Sequence, residues 1–146
     1  MARTSGDIVV AAPAADVMAV IADFAAYPDW ATGVRRCEVL TTGSDGRPET
    51  VRFALDATPI RDEYTLGYTW HGDTSVSWEI VEPGEVLTSM DGAYELEQAD
   101  AGTKVTYQLR VDVSIPLLGM LKRKAEKVVI DSALKGLKKH VEAGGA

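Results

Sequence analysis

Apolar and polar residues alternate with period two through the middle of the chain, from residue 34 to residue 115. Turn sequences rich in Gly, Pro and Asp, such as Gly43-Ser44-Asp45-Gly46 and Glu82-Pro83-Gly84-Glu85, separate the alternating segments. Period two is typical of strands with one buried face, and short turns favour antiparallel pairing. The pattern predicts an antiparallel meander of six strands: 34–42, 48–57, 60–70, 74–82, 87–97 and 103–115.

Two other stretches have helical spacing. The first begins at Ala12-Pro13, where proline suits the first turn of a helix, and ends before Pro28, which disfavours a helical Tyr27. We expect a short second helix after it. The last stretch runs from residue 117 to about residue 143 and, at ~1.5 Å per residue, would be about 40 Å long. Strands followed by one long helix predict an α+β domain, with the helix over one face of a curved sheet.

The apolar residues of the long helix form two stripes. Ser132 and Gly136, both small, continue the first stripe. Two stripes are expected if the two ends of the helix pack on different elements of the protein. Such packing would suit a curved sheet with a hollow beneath the helix. The first stripe consists of Leu117, Leu118, Leu121, Ala125, Val128 and Val129, and the second of Ile130, Leu134, Leu137 and Val141.

Composition and charge limit the classes of function that the protein can have. The chain of 146 residues is 46% hydrophobic and 25% charged, which predicts one globular domain over 1–146. No stretch approaches the ~20 apolar residues of a membrane span, and no secretory leader is visible, so we expect a cytoplasmic protein. The net charge of −7 argues against nucleic acid. From residue 117 onward the charge is +4 against −11 elsewhere, which leaves open a weak contact of the helix with an anionic membrane surface.

Residues that could carry catalysis are sparse. His71 and His140 have no partner at metal-ligand spacing, and a single cysteine, Cys37, cannot build a cysteine metal site, so we expect no metal and no cofactor. Asp62 is the one charged residue whose parity places it on the apolar side of its strand. If enclosed, its carboxyl would have a raised pKa and could act as a general acid or base, whereas at the rim it would stay solvated.

Aromatic side chains with polar tips concentrate on the predicted buried face of the sheet. Buried Tyr and Trp need partners for their O–H and N–H groups, and a cavity for an amphipathic ligand would use them as apolar walls with a few oriented donors. The alternative is that they only fill the core. With their neighbours on the sheet and the helix, the predicted cavity residues are Phe53, Tyr64, Tyr68, Trp70, Trp78, Tyr94, Tyr107, Leu121, Ala125, Val128 and Ser132.

Residues 24–30 read FAAYPDW, and VRRCEVL follows at 34–40. With the order of strand, short helices, meander and long helix, these segments resemble the START/Bet v 1-like superfamily (SRPBCC), and within it the bacterial polyketide cyclase/dehydrase and lipid-transport group. The resemblance implies a helix-grip fold: a seven-stranded curved antiparallel sheet wrapped around the C-terminal helix, two short helices between strands 1 and 2, and an internal cavity for a hydrophobic ligand. It implies no particular reaction, because the fold serves carriers as well as cyclases.

Three functions stay open at this stage. The first is binding or transport of a small hydrophobic ligand such as a lipid, polyketide or quinone. The second is a metal-free cyclase or dehydratase in which Asp62 and cavity tyrosines transfer protons. The third is an interaction module that docks through its basic helix, with Lys122, Lys124 and Lys127 supplying charge. The oligomeric state is left open.

Overall fold

The chain forms one curved antiparallel sheet and a long C-terminal helix. The computed structural model describes residues 3–31, 33–57, 60–114 and 119–144, apart from the side chains of residues 57, 60 and 119–122. Across those residues the sheet has seven strands in the spatial order β1-β7-β6-β5-β4-β3-β2. The strands are β1 (Thr4–Val10), β2 (Val34–Thr42), β3 (Pro48–Ala57), β4 (Ile60–His71), β5 (Ser75–Glu82), β6 (Leu87–Ala99) and β7 (Gly102–Val113).

The helices occupy the two places that the sequence predicts. Between β1 and β2 lie α1 (Ala14–Ala22), a 3₁₀ turn (Phe24–Ala26) and α2 (Tyr27–Trp30), and α3 (Gly119–Glu142) follows β7. Pro13 precedes α1 in an extended conformation, and Pro28 lies in the first turn of α2, where its missing N–H leaves no helical bond unmade. The expectation that Pro28 disfavours a helical Tyr27 is wrong, because Tyr27 has helical dihedral angles and begins α2. The predicted helix-grip fold is therefore confirmed, and the ends of the six predicted middle strands are correct to within two residues.

Aromatic residues stand opposite one another on the covered face of the sheet. Phe53 of β3 pairs with Tyr64 of β4, Tyr68 of β4 with Trp78 of β5, and Tyr94 of β6 with Tyr107 of β7. Cross-strand aromatic pairs of this kind stabilise a sheet and hold its register. The pairing brings the polar aromatics predicted from sequence onto one face.

The side of α3 that packs on β1 and β7 differs from the one that the first apolar stripe indicates. Ala125 is exposed and Val128 is 60% exposed, so the expectation that these two face the sheet needs correction. The packing side runs through Glu126, a charged residue that a hydrophobicity pattern assigns to solvent. Leu121, expected on the same stripe, has a side chain outside the described set. From residue 123 onward, the buried residues of α3 are Glu126, Ile130, Leu134, Leu137 and Val141.

Two glycines let α3 approach its neighbours closely. A Cβ at Gly6 of β1 would lie 2.8 Å from Cγ2 of Ile130, and a Cβ at Gly136 would lie 2.2 Å from the carbonyl oxygen of Trp30. Both distances are far below van der Waals contact, so neither position has room for a side chain. The C-terminal half of α3 is thereby fixed against β1 and α2.

Candidate functional site

All five tyrosines of the chain lie in the interior between the sheet and the helices, and we call them the tyrosine cluster. Each is between 5 and 9% exposed. Three of the rings surround Trp78, which lies 5.8 Å from the ring of Tyr68, 5.4 Å from that of Tyr94 and 5.5 Å from that of Tyr107. Tyr94 in turn lies 4.6 Å from Tyr107. The members of the cluster are Tyr27, Tyr64, Tyr68, Tyr94 and Tyr107.

Phenylalanines extend the aromatic wall toward the short helices. The ring of Phe24 lies 4.9 Å from that of Tyr68, and Phe53 stacks on Tyr64 at 5.6 Å. Trp70 lies at the far end, partly buried, with Nε1 donating to the carbonyl of Pro48 at 2.6 Å and the guanidinium of Arg47 over its ring. Trp70 also stacks on Tyr68 of the cluster, with ring centroids 5.7 Å apart, so it continues the same aromatic wall as Phe53.

Four hydroxyls of the tyrosine cluster have no hydrogen-bond partner among the described residues. The hydroxyl of Tyr27 donates to the carbonyl of Ile21 at 2.5 Å, whereas those of Tyr64, Tyr68, Tyr94 and Tyr107 donate to no protein group within the described part of the chain. Nε1 of Trp30 is also unpartnered and is fully enclosed, but the four tyrosine oxygens are not. The four tyrosine oxygens therefore keep some access to water, and within the described part of the chain their O–H donors are available to a ligand.

Every hydroxyl of the cluster is a hydrogen-bond donor at neutral pH. Burial, with a smaller contribution from Tyr107, raises the pKa of Tyr64 above its usual value. Burial raises the pKa of the other four tyrosines as well. All five hydroxyls therefore stay protonated at neutral pH and can donate hydrogen bonds.

Cys37 belongs to the same interior. It pairs with Phe53 in the β2–β3 register, is partly buried, and is close enough to Tyr27 and Tyr64 to influence their pKa. Burial raises the pKa of its thiol to about 12. A thiol with this pKa is protonated at neutral pH and is a poor nucleophile. The thiol serves as a small, weakly polar part of the wall.

Asp62 holds the loop between β5 and β6. Its Oδ1 accepts the backbone N–H of Glu85 at 3.0 Å, and its Oδ2 accepts those of Val86 at 3.1 Å and Leu87 at 2.8 Å. Partial burial acts to raise the pKa of Asp62, but these backbone donors outweigh it and lower the pKa below its usual value. Of the two alternatives for Asp62, enclosed or at the rim, the structure has the rim position. Its carboxylate oxygens already accept hydrogen bonds from the backbone of the loop.

Glu126 is a buried carboxylate that the sequence reading missed. It is 2% exposed, and its Oε1 accepts the hydroxyl of Thr4 at 2.6 Å while its Oε2 accepts the backbone N–H of Val111 at 2.8 Å. Glu126, Ile130 and Leu134 are spaced four residues apart and lie on the side of α3 that packs on the sheet. Extending the second apolar stripe by one turn toward the N-terminus would therefore have identified Glu126. Its partners fix α3 to both β1 and β7.

The remaining predicted residues lie apart from the cluster. Ser132 is partly buried on α3, His71 is exposed in the β4–β5 turn, and the ring of His140 lies 6.4 Å from that of Trp30. Within the described ranges, no group of three His, Cys, Asp or Glu residues could hold a metal ion. None of the helices described here is long and apolar enough to cross a membrane.

The chain was compared with known proteins. A family described as polyketide cyclase / dehydrase and lipid transport matches residues 1–142. A START superfamily protein from Mycobacterium smegmatis has a similar structure, with a TM-score of 0.89, 21% identity and coverage of 98% of this chain and 99% of that chain. The Zhui aromatase/cyclase from Streptomyces sp. R1128 has a TM-score of 0.75, 20% identity and coverage of 99% and 98%. The search of curated proteins found no match.

A third solved structure, TTHA0849 from Thermus thermophilus, has a TM-score of 0.81 and 20% identity, and the alignment covers 99% of each chain. All three structures share the fold over nearly their whole length. At 20–21% identity the likeness concerns the fold and carries no residue of the site across.

Proposed function

Since the chain belongs to the polyketide cyclase/dehydrase and lipid transport family, we propose that it binds a small hydrophobic ligand in the interior between the sheet and α3. The observation that carries the proposal is the set of four buried tyrosine side chains whose hydroxyls are not fully enclosed and have no partner among the described residues. Ligand pockets combine apolar walls with a few oriented polar groups, and the aromatic rings around Trp78 with these hydroxyls have that composition. A ligand oxygen would satisfy the donors.

The chemistry of the donors favours an uncharged ligand that carries oxygen acceptors. The cluster hydroxyls stay protonated, so they bind carbonyl, ether or hydroxyl oxygens rather than cations. Among the described residues the buried charged side chain is Glu126, and no Lys or Arg is buried. A ligand carboxylate would find no buried cation to offset its desolvation, which costs several kcal/mol. We therefore expect neutral ring systems with carbonyl groups to bind better than fatty-acid anions.

Binding can be tested with an uncharged acylnaphthalene dye and its carboxylate analogue, both of which report burial by fluorescence. We expect the neutral dye to bind and the carboxylate to bind more weakly. Tyr94→Phe and Tyr107→Phe each remove a free donor and should lower the affinity for the neutral dye about tenfold, since one hydrogen bond is worth about 1 kcal/mol or slightly more.

Tyr27→Phe is the matched control. Tyr27 belongs to the same cluster, but its hydroxyl is already bonded to Ile21. Removal of the Tyr27 hydroxyl should lower the stability of the protein and leave the affinity for the neutral dye within twofold of that of the parent protein. Failure of both dyes to bind, together with native mass spectrometry that finds no co-purified ligand, would remove the binding proposal. Equal losses in all three variants would assign the hydroxyls to stability alone.

A cyclase or dehydratase reaction is the second candidate. Protonated tyrosines can donate to an oxygen on which negative charge develops, which is the electrostatic part of such a reaction. The structure gives less support for a general base, because the carboxylate of Asp62 already accepts hydrogen bonds from the backbone N–H groups of Glu85 and Leu87. Asp62→Asn in a cyclisation assay decides the matter: a steep fall in kcat with unchanged folding supports the reaction, and an unchanged rate removes Asp62 from it.

A further inference from the structure

The outer side of α3 carries apolar residues that nothing in the described structure covers. Val128 is 60% exposed, Val129 is 49% exposed, and Ala125 between them on the helix surface is also exposed. Single exposed valines are common in soluble proteins and need no explanation. Whether these apolar residues have a function therefore depends on the side chains that surround them on α3.

Unpaired lysines lie in one row with Val128. At 3.6 residues per turn, the spacing of Lys124, Val128, Lys135 and Lys139 places all four within about 60° on the helix surface. The three lysines are exposed and have no acidic partner in the described part of the chain. Two further lysines of α3 differ, because Lys127 pairs with Asp131 and Lys138 with Glu142.

Burial of Glu126 makes this surface more basic than composition indicates. Residues from 117 onward carry +4, but one of the three acidic side chains in that segment is turned into the protein against Thr4 and Val111. The rest of the chain carries −11. Since Asp131 and Glu142 are paired with Lys127 and Lys138, the three unpaired lysines give the outer face of α3 a positive charge opposite in sign to the rest of the chain.

We propose that this outer face, consisting of Lys124, Val128, Val129, Lys135 and Lys139, docks the protein on an anionic lipid surface. Lysines next to exposed aliphatic side chains are what a helix in the plane of a membrane surface requires: the ammonium groups reach anionic headgroups and the valines enter the boundary with the acyl chains. The acidic remainder is repelled by the same surface, so the charge asymmetry orients the molecule with α3 toward the lipid.

Lipid fits this row better than a protein partner does. All three unpaired cations are lysines, whose mobile point charges suit a fluid layer of headgroups, whereas specific protein interfaces are enriched in the planar, bidentate guanidinium of arginine. The proposal goes beyond ligand binding and does not depend on it, because none of these side chains belongs to the tyrosine cluster.

Vesicle flotation with the whole protein tests the proposal. We expect binding to phosphatidylcholine vesicles that contain phosphatidylserine, little binding to pure phosphatidylcholine, and loss of binding as ionic strength rises. The double variant Lys124→Glu, Lys135→Glu should bind at least about tenfold more weakly. The control double variant Arg35→Glu, Lys104→Glu makes the same change of net charge elsewhere and should stay within threefold of the parent protein.

A second variant separates insertion from simple charge attraction. Val128→Asn keeps the charge and should weaken vesicle binding about threefold or more, while circular dichroism and dye binding in the interior stay unchanged. Salt-insensitive vesicle binding, equal losses in both double variants, or no vesicle binding at all would overturn the proposal. Light scattering that shows a Lys124-dependent dimer without vesicle binding would assign the face to a second copy instead, and would overturn it as well.

Discussion

The hydroxyl of Thr4 donates a hydrogen bond of 2.6 Å to the carboxylate of Glu126, joining the first strand to the last helix over 122 positions of sequence. The other oxygen of Glu126 accepts the N–H of Val111, two residues beyond Leu109, which pairs with Thr4 in the β1–β7 register. Beyond Leu109, β1 no longer pairs with β7 among the described residues, and the carboxylate of Glu126 on α3 accepts that backbone N–H of β7 in its place. A buried backbone donor at such a point needs a partner.

This arrangement predicts a loss of stability when Glu126 is changed. Glu126→Gln keeps the shape but replaces one acceptor oxygen with an NH₂ group that faces a donor, so we expect the free energy of unfolding to fall by about 1–3 kcal/mol. Thr4→Val should cost about 1 kcal/mol, and the double variant should lose less than the sum of the two. Urea denaturation measures all three. Glu97→Gln, at an exposed position of β6, is the control, and losses no larger than its loss would contradict the assignment.

Asp62→Asn should destabilise the protein in a pH-dependent way. The pKa of Asp62 is lower in the folded protein than its unfolded value of about 3.9, so its stabilising effect is present above about pH 4 and is lost as the pH falls through the folded pKa. We expect a loss of about 1–2 kcal/mol at pH 7 that shrinks toward zero in acid. Asp7→Asn, at an exposed position of β1, is the comparison. A pH-independent difference would contradict the role of the carboxylate charge.

Gly136→Ala should destabilise α3 although alanine is the better helix former. The new Cβ would meet the carbonyl oxygen of Trp30 at 2.2 Å, a backbone atom that cannot rotate away. We expect overpacking to exceed the gain of about 1 kcal/mol in helix propensity and to leave a net loss of about 1–2 kcal/mol. Ser132→Ala, one turn earlier, should be neutral or slightly stabilising. Thermal unfolding of the two variants compares them directly, and a stabilised Gly136→Ala would refute the close approach.

Alkaline titration should reveal the burial of the whole tyrosine cluster. Burial raises the pKa of all five tyrosines above the unfolded value of about 10, so their contribution to stability is complete below that pH and is lost as the pH rises further. The ultraviolet absorbance of phenolate should therefore appear in one step, together with unfolding seen by circular dichroism. Phenolate that forms near pH 10 in a protein that is still folded would show that some of the hydroxyls are accessible to water.

Local patterns were enough to predict the middle strands and the helices, and the family resemblance supplied the helix-grip fold. Alternation with period two and turn residues placed the six middle strands, since each strand of an antiparallel sheet shows its own buried face in its own sequence. The same parity put Tyr64, Tyr68, Trp78, Tyr94 and Tyr107 on the covered face, where the structure has them. These are properties of one strand and its neighbours in sequence.

Tertiary structure decided the rest, because it depends on where distant elements meet. The first apolar stripe predicted that Ala125 and Val128 face the sheet, but the packing side of α3 contains Glu126, which accepts the N–H of Val111 where the pairing of β1 ends. Likewise, the order of the strands decides which aromatic side chains meet, since Trp78 of β5 contacts Tyr68, Tyr94 and Tyr107 from three other strands. Sequence alone determined which residues face inward from the sheet, and tertiary structure decided which of them meet and which side of α3 covers them.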